Sequence, residues 1–281
     1  MSILTRVEKS QKISLKKFDP SDTGDWTKDK AVEKSAKLLD ELRTLQEWLY
    51  AAGTHSVLIV LQGMDTSGKD GLIEHVMSTV NPQGCDVASF KVPTDLEKKH
   101  DFLWRVHQQA PAKGMITIFN RSHYEDVLVT RVHDLVDKKT ISRRYGQINE
   151  FEQILAANNT IIMKFFLNIS KDEQEKRLIA RETMPEKAWK LSVDDWKERR
   201  FWDDYQSAYE AALSVTGSEE APWFMVPANH KWFRNVAVAE TVVETLRPYQ
   251  KGWMESLKEL GKQRLQEVLQ LRQEEERKRV G

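Results

Sequence analysis

The 281-residue sequence has little of what defines several classes of protein. Its one cysteine, Cys85, cannot form an intramolecular disulfide, which excludes a disulfide scaffold. No stretch approaches the roughly 18 consecutive apolar residues of a membrane span, and the first residues lack the apolar core of a secretory signal. We therefore expect a protein of the reducing cytoplasm with no membrane partner.

Net charge is also absent, because 43 basic residues balance 43 acidic ones. This balance argues against unspecific coating of a polyanion, and we expect no nucleic-acid partner. An anionic ligand must instead be recognised by a local site. Charged residues make up 31% of the chain, which favours long solvated helices.

Apolar runs alternate with helical patterns and predict an α/β fold with a five-stranded parallel sheet. The strands are predicted at residues 56–62, 85–91, 114–120, 160–168 and 223–227. The helices are predicted at about residues 31–53, 95–109, 124–135, 143–157 and 171–213, and one more is predicted to begin at about Lys69. Right-handed crossovers would place helices on both faces of the sheet.

The chain divides into three segments. Residues 1–30 lack a period and are interpreted as an N-terminal arm, residues 31–248 as the α/β domain, and residues 249–281 as a C-terminal helix. We expect the apolar stripe of that helix to pack against the domain rather than to await a partner. Its members are Leu257, Leu260, Leu265, Val268 and Leu271.

A glycine-bearing loop, residues 63–71, follows the first predicted strand. It matches the phosphate-binding pattern G-x-x-x-x-G-K-[ST] at Gly63, Gly68 and Lys69. In such loops backbone N–H groups and the lysine surround phosphate oxygens. The predicted phosphate-binding residues of the loop are Gly63, Thr66, Ser67, Gly68, Lys69 and Asp70. Asp70 departs from the pattern, which has a hydroxyl there, and the alternative is a turn with an exposed lysine.

Acidic residues accompany this loop. Asp65 within it would repel a phosphate unless a cation lay between them, so we expect Asp65 and Glu125 to hold Mg²⁺. Glu125 belongs to the segment after the strand at 114–120, whose Asn120, Arg121 and Asp126 should face the loop. The alternative is that these charges pair with each other, above all Asp126 with Arg131.

The segments GMDTSGKDG, FNRSHYEDVLVTRVH and RRYGQINEFE resemble the family-2 polyphosphate kinases over residues from about 10 to 246. The resemblance implies a P-loop kinase (thymidylate kinase-like) three-layer fold with a helical lid. It implies phosphoryl transfer between inorganic polyphosphate and nucleotides. It also implies a homo-oligomer, a dimer or a tetramer.

The family motifs carry over to single positions. Asp65 and Lys69 correspond to catalytic loop residues, and Asn120, Arg121 and Glu125 to the motif at the strand end. Family members restricted to nucleoside diphosphates usually carry Asp at the position of Asn120 and Asn at that of Glu125. The chain therefore resembles the class III members, which accept AMP as well as ADP and form ATP.

Residues 171–202 resemble the family's lid and hold nine basic and eight acidic residues. Arg177 and Arg181 share one helical face and are predicted to neutralise the moving phosphoryl group, although pairing of Arg177 with Glu173 is an alternative. Arg131, Lys187 and Lys231 are predicted to bind phosphate, with Arg234 beside them. The tryptophans Trp189, Trp196 and Trp202 are expected to pack as core anchors.

The predicted activity is a reversible, Mg²⁺-dependent transfer from polyphosphate to ADP and AMP. Two other functions remain open at this stage. One is a nucleoside monophosphate kinase that uses ATP, against which Asp70 counts. The other is a regulatory protein that binds nucleotide or phosphate without transfer.

Overall fold

The computed structural model describes residues 3–8 and 11–280, and its strands form one mixed sheet. The strands are β1 Thr5–Val7, β2 Ser56–Gln62, β3 Cys85–Ser89, β4 Ile116–Asn120, β5 Thr160–Asn168 and β6 Trp223–Pro227. They lie in the order β1-β6-β5-β2-β4-β3. Strands β2 to β6 are parallel, as predicted, and the α/β class is confirmed.

The predicted strand count is wrong by one, because β1 adds an antiparallel strand at the edge of the sheet. This strand lies in the segment interpreted as an arm, where Val7 pairs with Trp223. Three residues are too few to carry a period, and the pairing partner lies more than two hundred positions away. The hydrophobic periodicity of neighbouring residues therefore cannot predict β1.

Helices cover the sheet in two groups. They are α1 Lys28–Ala52, α2 Lys69–Met77, α3 Trp104–His107, α4 Glu125–Val132, α5 Lys138–Ala157, α6 Lys171–Thr183, α7 Val193–Glu198, α8 Trp202–Thr216, α9 Lys231–Leu246 and α10 Gln250–Val280. Helix α1 packs against α9 and α10, whereas α4, α5 and α8 pack together. Every position of β2 and β5 is buried, as expected for strands covered on both faces.

The strand order places the loops after β2 and β4 next to each other. The chain leaves the central strand β2 through α2 to the outer strand β3, returns to β4, and then crosses β2 to reach β5. In open parallel sheets, ligands bind beyond the carboxyl ends of the strands where the connections change direction. The loop at residues 63–68 lies at that point.

The helix predicted at residues 95–109 is interrupted. The structure has a 3₁₀ turn at Glu97–Lys99 and the short helix α3. Between them Asp101 accepts hydrogen bonds from the backbone N–H of Leu103 at 3.0 Å and of Trp104 at 3.1 Å. This Asx turn competes with the helical hydrogen bonds, a local effect that the apolar spacing does not express.

The C-terminal helix packs only at its start. Trp253 is buried, whereas Leu260, Leu265 and Leu271 are 42%, 59% and 57% exposed. The prediction that the whole stripe packs against the domain is therefore wrong for the described chain. Helix α10 has 31 residues and a length of about 46 Å, so its second half extends beyond the surface that covers its first.

Two further sequence expectations concern aromatic residues and membrane spans. Trp202 is buried as predicted, but Trp189 on the lid is 78% exposed and is not a core anchor. Within residues 3–8 and 11–280, no helix combines the length and apolar character that a membrane span requires.

Candidate active site

The loop between β2 and α2 has the backbone that a phosphate cradle requires. Gly63 has φ +150°, and a Cβ there would lie 2.7 Å from the carbonyl oxygen of Leu167. Gly68 has φ +96° and precedes the first residue of α2. Both glycines are thus needed for positive φ and for close packing, and the α2 N-terminus points its free N–H groups toward the loop.

Lys69 lies inside this loop. Its Nζ donates to the carbonyl oxygens of Gly63 at 2.8 Å and Met64 at 3.3 Å, and the residue is 8% exposed. Burial, and then the charge of Arg121, lower the pKa of Lys69. The ammonium group is therefore fixed within the loop and is poorly solvated, which strengthens its attraction for an anion.

Two hydroxyl groups in the loop have unused hydrogen-bonding capacity. Thr66 has φ +65°, a left-handed conformation that is uncommon for a residue other than glycine. Within the described part of the chain, Thr66 Oγ1 and Ser67 Oγ are buried without a hydrogen-bond partner. Such groups cost free energy unless a ligand satisfies them, and phosphate oxygens are suitable acceptors.

Arg121 joins the loop to the end of β4. It also has a left-handed backbone, with φ +61°, and its N–H donates to the carbonyl oxygen of Leu61 at 3.1 Å. Its guanidinium lies 2.7 Å from Asp65 Oδ1 and 3.7 Å from Glu125 Oε2. Arg121 thus brings together two acidic residues that are distant in sequence.

The protonation equilibria reflect this arrangement. Burial disfavours the charged guanidinium, but the carboxylates of Glu125 and Asp65 outweigh it and raise the pKa of Arg121. Burial also raises the pKa of Glu125, against the opposing effect of Arg121 and Lys69. Perturbed groups in such proximity are typical of active sites.

The donor set fits Mg²⁺ bound together with phosphate. The carboxylates of Asp65 and Glu125 both lie against the guanidinium of Arg121, and hard oxygen donors are those that Mg²⁺ prefers. In the described residues no group of three or more His, Cys, Asp or Glu side chains is arranged for a metal. These two carboxylates could therefore hold Mg²⁺ when phosphate oxygens or water complete its coordination.

Arg177 of α6 hydrogen-bonds to the backbone of the loop. Its Nη1 donates to the carbonyl oxygens of Thr66 and Ser67, and its Nη2 donates to those of Ala228 and Asn229, all within 3.1 Å. Its Nε donates to Glu173 at 2.7 Å. The fork of the guanidinium is thereby fully engaged by the backbone and one carboxylate.

Arg234 supports the same loop from α9. It is 2% exposed and donates to the carbonyl oxygen of Gly68 at 2.9 Å. Burial and the neighbouring Arg177 lower its pKa to about 10. Burial also lowers the pKa of Lys231, as do the charges of Arg177, Lys187 and Arg234. Positive charge therefore accumulates beside the loop, where it favours an anionic ligand.

The lid lies close to this centre. Arg181 Nη1 donates to the carbonyl oxygen of Lys190 at 2.9 Å and pairs with Asp195. Burial, and then the charge of Asp65, raise the pKa of Asp195, against the opposing effect of Arg181. Lys190 in turn reaches Asp70 at 3.3 Å, and Asn120 donates to Asp70 at 2.9 Å.

Two predicted phosphate-binding residues lie elsewhere. Asp126 is buried and pairs with Arg105 at 3.5 Å and Arg144 at 3.9 Å. Arg131, near the end of α4, donates to Ser207 at 3.4 Å. The structure does not bring these side chains to the loop. Asp126 is ion-paired, as the alternative expected, but with Arg105 and Arg144 and not with Arg131, whose partner is a serine hydroxyl.

Several residues at the site were not singled out from the sequence. Gln62 is fully buried and donates to Ser122 at 3.1 Å, and its amide opposes the rise that burial causes in the pKa of Glu125. Gln174 donates to the carbonyl oxygen of Asp65 at 3.2 Å. A polar residue ending a wholly apolar strand is a usable signal for Gln62. Asp195 has no comparable signal among the eight acidic residues of the lid.

Comparison with known proteins identifies the family. The model of polyphosphate kinase 2 (PPK2) matches residues 25–252. The AMP/ADP-polyphosphate phosphotransferase of Meiothermus ruber is 54% identical over 243 residues, 86% of this chain and 91% of that protein. The ADP-polyphosphate phosphotransferase of Rhodopseudomonas palustris is 44% identical, with 96% of each chain covered.

A solved structure agrees with these matches. The crystal structure of polyphosphate kinase 2 from Arthrobacter aurescens TC1 superposes with a TM-score of 0.83 at 43% identity, and the match covers 89% of this chain and 93% of that one. A phosphate loop with an adjoining Asp–Arg–Glu cluster, a family match over most of the chain and a shared fold lead to one conclusion: the chain belongs to the polyphosphate kinase 2 family.

Proposed function

We propose that this enzyme transfers the terminal phosphoryl group of inorganic polyphosphate to ADP, forming ATP, and also to AMP, forming ADP. Relatives named for both reactions support the proposal. We further propose that the reaction requires Mg²⁺ and is reversible. An ATP-dependent kinase and a regulatory protein are treated below as outcomes of the test.

One observation carries the proposal. The buried loop of Lys69, with the free hydroxyl groups of Thr66 and Ser67, lies directly beside the Asp65–Arg121–Glu125 cluster. Phosphoryl transfer depends on positioning and on neutralising charge, and both are available at this junction. A binding protein would need the loop but not the two acids.

The chemistry needs no strong general base. A terminal phosphate oxygen of ADP or AMP attacks the terminal phosphorus of polyphosphate and forms a new P–O bond. The bond to the next phosphate breaks, and its electron pair remains on the shortened polyphosphate. Because the attacking oxygen is already anionic, no hydroxyl group has to be deprotonated.

The residues divide this task. The loop N–H groups and Lys69 hold the phosphates, with Lys187 and Lys231 along the approach of the polyanion. Bound Mg²⁺, held by Asp65 and Glu125, would neutralise phosphate charge. Arg121, whose side chain is 41% exposed, would exchange those carboxylates for the oxygens of the transferring group.

For the lid arginines we propose narrower roles than direct neutralisation. Arg177 donates to four carbonyl oxygens and Glu173, so we assign it to holding the loop in shape. Arg181 holds the lid through Lys190 and Asp195. Both act on phosphate through the backbone that they position.

We also propose that the chain forms a homo-oligomer, a dimer or tetramer, in the cytoplasm. The exposed Leu265 and Leu271 of α10 support self-association, since contiguous apolar surface favours burial. The lone cysteine supports a reducing compartment.

The test is an assay of the purified protein with Mg²⁺, long-chain polyphosphate and either AMP or ADP, in which every nucleotide is separated by chromatography. We expect polyphosphate-dependent ATP from ADP and ADP from AMP. Use of ADP alone would remove the proposal for AMP. Turnover with ATP and AMP but not with polyphosphate would replace the proposal with a monophosphate kinase, and binding without turnover would replace it with a regulatory protein.

A further inference from the structure

Asp70 occupies the position at which the phosphate-loop pattern has a hydroxyl group that helps to hold Mg²⁺. It lies in the first turn of α2, where a carboxylate is favoured by the helix dipole. The proposed chemistry leaves this residue without a role. Its contacts provide one.

Each carboxylate oxygen of Asp70 faces a donor from a different element. Oδ1 accepts from Nδ2 of Asn120, at the end of β4, at 2.9 Å. Oδ2 accepts from Nζ of Lys190, in the lid, at 3.3 Å. Burial opposes ionisation, but these two donors outweigh it and lower the pKa of Asp70.

Lys190 is itself held in place. The carbonyl oxygen of Lys190 accepts from Arg181, which also pairs with Asp195. The ammonium of Lys190 lies 4.8 Å from the ring centroid of Trp189. The side chain that reaches Asp70 therefore belongs to a braced segment, and its contact reports the position of the whole lid.

We propose that Asp70 is a positioning residue that receives the lid: it links Lys190 to Asn120 and so sets where the lid closes over the phosphate loop. The link rests on the proposed function only for its kinetic consequence. The structural consequence, the closed position of the lid, does not depend on which donor or acceptor the enzyme uses.

The strength of the link suits a lid that must open in each turnover. The side chains of Asp70 and Lys190 are 65% and 34% exposed. An ion pair so exposed changes an equilibrium by about fivefold or less, and salt weakens it further. Such a contact biases the lid toward closure without locking it.

The link requires a hydrogen-bond donor at position 120, which Asn120 supplies. Its amide donates to Asp70, and an aspartate at position 120 would place two carboxylates at hydrogen-bonding distance. We expect Asn120→Asp to disrupt the link by repulsion. Asp70→Asn in the same chain would restore a donor and an acceptor with their roles exchanged.

The experiment has a structural arm that needs no substrate. Backbone hydrogen exchange of residues 184–198 is measured in the wild type, Asp70→Asn, Lys190→Gln, their double variant, Asn120→Asp, and Asn120→Asp with Asp70→Asn. Lys197→Gln is the matched control, because it removes a lid ion pair that lies within α7, between Lys197 and Asp194, and is more exposed than the pair of Lys190 with Asp70.

We expect Asp70→Asn and Lys190→Gln each to speed exchange in the lid by about two- to fivefold, with the double variant no faster than the single ones. Asn120→Asp should speed it more, and the exchanged pair should return it to the level of Asp70→Asn. The control should match the wild type. Unchanged exchange, or fully additive effects, would overturn the link.

The kinetic arm compares KM with kcat under the assay conditions above. We expect the acceptor KM to rise by about two- to fivefold with kcat nearly unchanged, and the effect to shrink as salt is raised. A loss of kcat beyond 100-fold with an altered Mg²⁺ requirement and unchanged lid exchange would instead make Asp70 a metal ligand. If the wild type failed to use polyphosphate, the exchange arm would still decide the link.

Discussion

Burial strengthens the attraction of the Lys69 ammonium for an anion. Its ammonium lies among the carbonyl oxygens of its own loop, where water screens it poorly. A phosphate that entered the loop would meet a cation already oriented toward it. This preorganisation would allow Lys69 to fulfil its proposed role in anion binding although its pKa is lowered.

Replacement of Lys69 by methionine tests this directly. We expect Lys69→Met to lower kcat/KM with polyphosphate by about 10²-fold or more, since a positioned charge contact contributes on the order of 3 kcal/mol to the barrier. Thermal unfolding should change little, because methionine fills similar space. Lys176→Met on the exposed face of α6 is the matched control, and retained activity in Lys69→Met would contradict the assignment.

Gly68 is constrained by conformation and by space. A Cβ there would collide with the guanidinium of Arg234, at a φ of +96°. We expect Gly68→Ala to displace Arg234, to lower the free energy of unfolding by about 1–3 kcal/mol and to reduce turnover. Urea unfolding and the polyphosphate assay measure the two effects. A variant as stable and active as the wild type would show that the loop tolerates another backbone.

In contrast to Gly68, a glycine within helix α5 has room for a side chain. Gly146 lies within α5, and a Cβ there would meet nothing within 4 Å. We expect Gly146→Ala to raise the free energy of unfolding by about 0.5–1 kcal/mol, because alanine loses less backbone entropy in a helix. Urea unfolding at constant m-value is the measurement, and a loss of stability would indicate an unseen requirement for glycine.

Elements α5, β5 and α4 meet at a buried charged network. Lys164 of β5 contacts Glu152 of α5 at 2.5 Å and the carbonyl oxygen of Thr216 at 2.6 Å. Tyr124 donates to Glu152 at 2.9 Å, just before α4 and its Glu125 begin. The network therefore ties the start of α4 to two neighbouring elements.

Breaking one partner of this pair should be costly. We expect Lys164→Met to lower the free energy of unfolding by about 3–5 kcal/mol, because it leaves the carboxylate of Glu152 buried without its cation. The double variant Lys164→Met/Glu152→Gln should lose less than the sum of the single changes. Urea unfolding in a double-mutant cycle measures this, and additive losses would contradict the coupling.

The same pair predicts a dependence on pH. Burial opposes ionisation of Glu152, yet Lys164 and His123 hold its pKa below the usual 4.5. The unfolded chain therefore binds this proton first, so the stabilisation is complete above 4.5 and is lost as the pH falls below it. Glu152→Gln should show a shallower acid loss of stability than the wild type in urea unfolding at pH 7 and pH 4, and equal slopes would contradict this.

At the scale of the whole molecule, α10 is the exception to compact packing. Trp253 anchors its start, whereas Leu265 and Val268 are exposed on a helix that continues to Val280. The described chain offers these apolar side chains no partner within itself. The proposed self-association is the arrangement that would bury them.

Truncation tests this proposal. We expect removal of residues 262–281 to lower the mass of the assembly in light scattering while the thermal stability and the activity per subunit stay within about twofold, because the removed side chains lie outside the core. Leu265→Lys with Leu271→Lys should act in the same direction. An unchanged mass would assign the interface to another surface.

The parallel α/β core and the position of the phosphate loop follow from the amino-acid pattern alone. The limits of β2, β5 and β6 were predicted to the residue, because buried strands are continuous apolar runs bounded by polar turns. The loop glycines and Lys69 could also be predicted from the sequence. The backbone conformation of such a loop restricts which residues can occupy it, so the motif is recognisable locally. The motifs and their spacing in this one sequence were enough to predict the family.

The contacts of the charged side chains, in contrast, follow from the completed fold. The sequence offers Arg177 either phosphate or Glu173 as its partner, yet folding also brings four carbonyl oxygens from two distant segments to its guanidinium. The pairing of β1 with β6, the contact of Asp70 with Lys190 and the exposure of α10 likewise join or separate residues far apart in the chain. Periodicity reports local conformation, whereas long side chains take their partners from whatever the completed fold places within reach.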